Sequence, residues 1–267
     1  MRYFILIALA ITFSSCKSSQ PMLSTLNIND RIYSIDYNRV YDLSLPVTHQ
    51  GGTGAWYIDQ PVIKHVEVDG YVGKVALGGS TNFNDVVFNP HSHGTHTECI
   101  GHITENTFSV NSVAPRRPVL AQVMTLNPES IDGDLVITPH LIPSLAAGVE
   151  AVIIRTRPNE ETKRTRNYSH TNPPYLSEAA VLRFRESGIN HLIIDLPSVD
   201  KEKDGGALLA HKAFWDLNGT PRLHATITEL IYVPDEVKDG LYVLDLQVAP
   251  IENDAAPSRP LIYPVAL

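Results

Sequence analysis

The sequence predicts one mixed α/β domain, on three observations. At 267 residues with 43% hydrophobic side chains, the chain is long enough to bury one large core. Its N-terminal half carries short β-type runs broken by turn residues, whereas the C-terminal half alternates helical and extended patterns, the order expected when strands and helices share a core. No shift in composition marks a linker, and no internal repeat is visible.

The elements follow in chain order. Met1-Arg2, an apolar run over residues 3–13 and then Ser14-Ser15-Cys16 have the form of an export signal, well short of the roughly 20 residues that span a bilayer. The Ser-Cys junction is similar to a bacterial lipoprotein cleavage site. That similarity implies a signal over residues 1–15, a membrane anchor through lipid on Cys16, and a place in the cell envelope. Residues 16–27, polar with Ser and Pro, read as a tether, and the domain occupies 28–267. Strands are expected at 39–45, 62–68, 71–77 and 119–125. A short helix at 141–148 then leads into a strand at 151–155. The helix at 176–188 has Ser177 to cap its start and Gly188 to end it, followed by a strand at 191–196. A helix at 206–217 and strands at 223–233, 240–250 and 261–265 complete the chain.

The balance of 21 basic against 29 acidic residues, net −8, argues against a phosphate backbone as partner, so no nucleic acid is expected. The basic stretch Lys163-Arg164-Thr165-Arg166 reads as a solvated loop. With only Cys16 and Cys99, no disulfide framework is available. Cys99 reads as a small buried filler rather than a ligand.

Chemistry concentrates in His91-Ser92-His93-Gly94-Thr95-His96-Thr97-Glu98-Cys99-Ile100-Gly101-His102, with four imidazoles and a carboxylate in twelve positions. On an extended segment His96, Glu98 and His102 fall on one face, because side chains alternate with a period of two. Burying such a group without a cation costs desolvation energy unless each member is paired. Nitrogen and oxygen donors suit Zn²⁺, Mn²⁺ or Fe²⁺, and the lack of a thiolate set argues against a closed structural zinc site. Further ligands must come from elsewhere, and His211, His224 and Glu229 are the candidates.

The run from His93 to His102 resembles the signature His-x-Gly-Thr-His-x-Asp-x-Pro-x-His of the cyclase-like family that includes bacterial kynurenine formamidase and isatin hydrolase. Arg39-Val40-Tyr41-Asp42-Leu43-Ser44 is similar to the family's opening D-L-S strand. Residues 148–156 are similar to its G-x-x-A-V-L-I-R-T strand, and Pro174-Tyr175-Leu176-Ser177 through Asp195-Leu196-Pro197-Ser198-Val199-Asp200 to the helix and strand ending in D-x-P-S-x-D. The likeness spans about residues 39–262. It implies a single cyclase-like α/β domain of the swivelling β/β/α type, with a central β-structure surrounded by helices, assembled as a homodimer.

Carried over position by position, the resemblance implies His96, Glu98, His211 and Glu229 as metal ligands and His102 as the general acid/base. His224 has no family role and reads as structural. Three departures stand out. The family's first His falls at Ser92, so a one-residue bulge near Gly94 would restore a ligand from a neighbour; His93 is favoured, with His91 close behind. Glu98 replaces Asp, and Ile100 replaces Pro. The expected cofactor is a divalent metal, Zn or Mn, as one or two ions. The expected activity is hydrolysis of an amide or formamide C–N bond in a small molecule by a metal-activated water. Trp56, Tyr57 and Phe214 are candidates to pack on an aryl substrate, though each reads more simply as core or rim. The competing reading is a non-catalytic envelope lipoprotein that binds metal or a small ligand.

Overall fold

The structure, a computed structural model, describes residues 21–28 and 30–266. The expected signal and Cys16 lie outside the described residues. Ten strands form the main sheet, and only these are numbered: β1 Leu23–Ile28, β2 Arg31–Asp36, β3 Tyr41–Asp42, β4 His96–Glu98, β5 Val119–Leu126, β6 Ala151–Thr156, β7 His191–Ile194, β8 Thr226–Glu229, β9 Gly240–Val248 and β10 Ala255–Ala266.

Strands β5, β6, β7 and β8 run parallel, and β8 pairs antiparallel with β4. The long strand β10 pairs with β9 through its C-terminal part and with β4 through Ala255–Pro257. Since β9 also pairs with β5, seven strands close into a barrel-like ring, which removes free edges from that part of the sheet. The hairpin β1–β2 and the short β3 attach to β10 from outside the ring.

Period-two alternation sorts the side chains of these strands. Val119, Ala121, Val123, Ala151, Ile153, Ile193, Tyr242, Leu244 and Leu246 pack together in one core cluster. Leu120, Met124, Val152, Ile154, Leu192, Ile194 and Ile227 point the other way and meet two helices. Helix α1, Val110–Val113, is a single turn. Helix α2, Glu178–Glu186, is capped by Ser177, whose hydroxyl accepts from the Ala180 N–H, and buries Ala180, Val181 and Phe184 against the sheet. Full burial of a side chain such as Phe184 stabilises by about 1.5–3 kcal/mol. Helix α3, Leu209–Phe214, lies beside it. The expected surround of helices is therefore two short helices on one face, with the other face closed on itself.

Several expected elements differ. The helix expected at 141–148 does not form; a 3-10 turn spans Pro139–Leu141 only. Pro143 lacks an N–H and disfavours helical backbone at Ile142. The segment is held instead by Gln122, which accepts from the Ala146 N–H and donates to the Ser144 carbonyl. The extended runs near 62–77 form two small ribbons, Val62–His65 with Asn84–Val87 and Glu67–Val68 with Tyr71–Val72. The last part of the segment read as a tether forms β1. Among the described residues no helix is long and apolar enough to cross a membrane.

The basic stretch is not simply a solvated loop. Lys163 is buried, and its ammonium donates to the Thr156 carbonyl, the Thr156 hydroxyl and Asp195 Oδ2 at 2.7, 2.9 and 2.8 Å. Arg166 pairs with Glu160 nearer the surface. Charge pattern alone does not reveal Lys163, because its partners come from the ends of β6 and β7.

Candidate active site

The site is assembled where β4 and β8 pair. The chain enters β4 through Gly94, whose φ of +80° is the left-handed region, and a Cβ there would lie 2.7 Å from the Leu45 carbonyl oxygen. Glycine therefore permits both the turn and the close approach. Thr95 then fixes β4 from the opposite face, its hydroxyl donating to the Leu230 carbonyl and accepting from the Leu45 N–H. The register sets His96 opposite Glu229. Thr97 and Thr228 join hydroxyls across the pair at 2.7 Å.

His96 and Glu98 thus project from one face into buried surroundings. The strand ends at Glu98, and a 3-10 turn over Ile100–Ile103 follows. The continuous extended face expected to include His102 is replaced by this turn, which folds His102 back until Nε2 is 3.8 Å from Glu98 Oε2. Helix α3 supplies His211, whose Nε2 lies 3.1 Å from Glu98 Oε1 and 4.0 Å from Glu229 Oε1. Its Nδ1 is 2.5 Å from Asp200 Oδ2, and Asp200 also accepts from the Ala210 and His211 N–H groups. Asp200 therefore orients the imidazole and satisfies the free N–H groups at the start of the helix. Glu229 Oε1 accepts from the Val199 N–H.

At the first His the geometry corrects the expectation. His91, not His93, joins the cluster, with Nδ1 3.1 Å from Glu98 Oε2. His93 belongs to neither group of clustered donors, and its Nδ1 accepts from the Asn89 N–H. Ser92, which holds the family position, donates to the Ala55 carbonyl. The turn is fixed by Asn89, whose side chain accepts from the His91 N–H. His224 is exposed and bonds the Asn190 side chain. Cys99 is a buried filler as expected, its thiol pushed up to about 11 by burial.

One residue that bonds two histidines of the cluster is absent from the expected site. Asp254, just before β10, bonds both His91 Nε2 and His102 Nδ1 through Oδ2, at 2.8 and 3.2 Å. Its place more than 150 positions downstream of the cluster left no local spacing to find it.

Two groups of donors result, His91 with Glu98 and His102, and His96 with Glu98 and Glu229, sharing Glu98. The donor atoms test whether a cation fits. His96 Nδ1 meets the Gly94 carbonyl at 3.2 Å; a carbonyl only accepts, so Nδ1 carries the proton and Nε2 a lone pair. That lone pair faces Glu229 Oε2 at 3.4 Å, and both His96 Nε2 and Glu98 Oε2 are buried without a hydrogen bond. Buried acceptors left without a donor are costly. A divalent cation among these donors would answer them, and the donor set fits one.

Burial alone would lower His91 and His211, yet the carboxylates beside them, Asp254 and Glu98 for His91 and Asp200 and Glu98 for His211, push both up to about 10. Burial would raise Glu98, but His102, His211 and His91 hold it well below the usual carboxylate range. The cluster is thus strongly polarised by its own members.

Above it opens a cleft of about 300 Å³ lined by Trp56, Ile58, Asn89, His91, His102, Ser198, Leu208, His211 and Glu229. Trp56 forms part of this wall and donates through its indole N–H to the His91 carbonyl. Tyr57 points to Glu202 instead, and Phe214 is fully buried in the core.

A family model described as "Putative cyclase" matches residues 41–201, more than half of the chain. The chain belongs to this cyclase family. The matched segment holds the cluster from His91 to His102 and Asp200, while His211, Glu229 and Asp254 lie beyond it. None of the curated proteins compared with the cyclase chain matches it. Solved structures share its fold. An isatin hydrolase bound to the product analogue thioisatinate has a TM-score of 0.61 at 16% identity, covering 85% of this chain and 92% of the other. Isatin hydrolase A from Labrenzia aggregata, bound to benzyl benzoate, gives 0.59 at 14%, with 84% and 93% covered. A structure described as a "predicted metal-dependent hydrolase from Bacillus stearothermophilus" gives 0.60 at 18%, with 84% and 98% covered.

Proposed function

We propose that this cyclase-family chain is a metal-dependent hydrolase that opens an amide or formamide C–N bond in a small molecule. The observation that carries the reading is the pair of buried orphan acceptors, His96 Nε2 and Glu98 Oε2, beside Glu229, His91 and His102, which line a cleft. His91, His96, Glu98, His211 and Glu229 would hold the metal, Zn or Mn, as one or two ions. Such a cation supplies Lewis acidity for a carbonyl and a nucleophile from water near neutral pH.

The chain's own residues do the rest. His102 is partly exposed to the cleft, with a side-chain exposure of 31%, and so can exchange a proton with substrate at Nε2 and pass it to the departing amine. Asp200 keeps His211 Nε2 turned towards Glu98. Trp56, Ile58 and Leu208 give the cleft an apolar wall, and its volume suits a compact ring-sized substrate. The structures sharing this fold include isatin hydrolases, which supports a cyclic amide as a member of the substrate class.

Two further expectations stand as proposals. The chain is exported and anchored through lipid on Cys16, supported by the residue pattern of 1–16. It pairs as a homodimer, supported by the apolar side chains that the arm over residues 58–87 leaves exposed, among them Val62, Ile63, Phe83, Val86 and Val87.

The test is turnover of aryl formamides, cyclic amides and esters by purified protein loaded with Zn²⁺ or Mn²⁺. Turnover is expected to vanish with a chelator and to fall roughly 10²–10⁴-fold in His102→Ala. No turnover above that variant with either metal would leave the non-catalytic binding reading in its place.

A further inference from the structure

Asp254 is held as firmly as the residues it touches. Its carbonyl accepts from the Cys99 N–H at 3.0 Å, which ties it to the residue after Glu98. The next residue, Ala255, pairs with Glu98 in the sheet, and the Asn253 carbonyl accepts from the Val110 N–H. The carboxylate is thereby fixed relative to β4, the strand that carries His96 and Glu98. From that fixed point Oδ2 reaches two imidazoles, His91 Nε2 at 2.8 Å and His102 Nδ1 at 3.2 Å. The two rings stack with centroids 4.2 Å apart and planes 28° apart.

An ionised carboxylate only accepts. Each nitrogen that faces Asp254 must therefore be an N–H, and in a neutral ring the other nitrogen keeps its lone pair. For His91 the lone pair falls on Nδ1, which is 3.1 Å from Glu98 Oε2. For His102 it falls on Nε2, on the side of Glu98 Oε2 at 3.8 Å. Both lone pairs face a carboxylate oxygen that has no hydrogen bond of its own. Such an arrangement is stable only with a cation or a proton among them.

We propose that Asp254 is the positioning residue of this centre: a single carboxylate selects the tautomer and ring orientation of both His91 and His102, making Nδ1 of one a metal donor and Nε2 of the other the proton carrier. Ligand and proton carrier are thus set by one group and cannot turn independently. Asp254 touches neither substrate nor metal in this scheme. Its action runs through the two imidazoles, as carboxylates behind metal-bound histidines orient them elsewhere in proteins. The inference rests on the reading of His102 as the proton carrier, and its test includes measurements that need no turnover.

Full-length ¹⁵N-labelled protein loaded with Zn²⁺ is examined by two-bond ¹H–¹⁵N correlation, with His102→Gln assigning the His102 signals. The native protein is expected to show His102 as the Nδ1–H tautomer. In Asp254→Ala, His102 is expected to change to Nε2–H, and Zn²⁺ affinity to fall about 10-fold through His91. On any substrate of the panel that is turned over, kcat should fall about 10–100-fold with KM within about 3-fold. Asp254→Asn, of the same shape with one acceptor oxygen, should restore part of each loss, and it carries the test alone should the alanine variant fail to fold. An Nε2–H tautomer in the native protein overturns the proposal. So does a folded Asp254→Ala with unchanged tautomer and unchanged Zn²⁺ affinity. A protein that binds Zn²⁺ with the expected tautomers yet hydrolyses nothing sinks the hydrolase reading and leaves the positioning role of Asp254 supported.

Discussion

At the C-terminal end of the parallel strands, two buried charged clusters lie in one fold and are completed differently. Strands β6 and β7 lead to Thr156 and Asp195, which close around Lys163. All three ammonium protons find acceptors, and Asp195 also accepts from the Thr156 N–H and hydroxyl at 2.9 Å each. Strand β8 leads to Glu229, which meets His96, Glu98 and His211. There His96 Nε2 and Glu98 Oε2 are left without partners. Both clusters are buried, so burial does not separate them. Saturation does: the first has every donor and acceptor answered by its own chain and serves the fold, whereas the second leaves buried acceptors that its own chain does not answer and that a cation would.

The comparison can be broken most forcefully at Lys163. Lys163→Met leaves the Asp195 carboxylate buried without its countercharge, and removal of one member of a buried pair costs roughly 3–5 kcal/mol. Urea unfolding should show that loss, while the folded variant keeps its Zn²⁺ stoichiometry. A loss below about 1 kcal/mol would mean that the closed cluster does not hold the fold as described.

Acid unfolding separates burial from pairing. His191 is buried with the Thr226 hydroxyl at 2.9 Å from Nδ1, and burial pushes it from 6.5 down to about 4. The folded value lies below the unfolded one, so the unfolded chain binds more protons between them. The contribution is complete above about pH 6.5 and is lost as pH falls towards 4, amounting to about 3 kcal/mol. The difference in unfolding free energy between the native protein and His191→Gln should change by that amount across this window. A pH-independent difference would show that His191 is not held neutral.

Zn²⁺ should stabilise the open cluster alone. At free metal 100 times Kd, unfolding should be harder by about 2.7 kcal/mol. Lys163→Met should show the same increment, and His96→Ala should lose most of it. Equal increments in all three proteins would place the metal elsewhere. The smallest expected effect is at the cleft wall: Trp56→Ala should raise KM for an aryl substrate about 10-fold with little change in kcat, since it removes binding surface and no proton carrier. A fall confined to kcat would instead make Trp56 a positioning residue, acting through its bond to His91.

The strongest parts of this arrangement were legible because they are local. Alternation along β4 puts His96 and Glu98 on one face whatever they pack against. Family resemblance then pointed to His211 and Glu229, which the fold brings to the same place. The same alternation failed at His102, because the strand stops at Glu98 and a 3-10 turn, not an extended segment, delivers that ring. It failed again at the first His, where the chain is a turn with no period to read.

The sequence by itself determined the α/β class, the strand carrying His96 and Glu98, the capped helix α2 and the expectation of a divalent cation. Tertiary structure alone decided that His91 rather than His93 enters the cluster, that Lys163 is buried against Asp195, and that Asp254 stands behind two imidazoles. The physical reason is common to all three. A side chain on a strand or helix takes its direction from the backbone repeat, whereas on a turn it follows hydrogen bonds to residues far away in the chain. Around His91 the Ser92 hydroxyl donates to the distant Ala55 carbonyl and the ring donates to the distant Asp254, while its own N–H donates to the nearby Asn89 side chain.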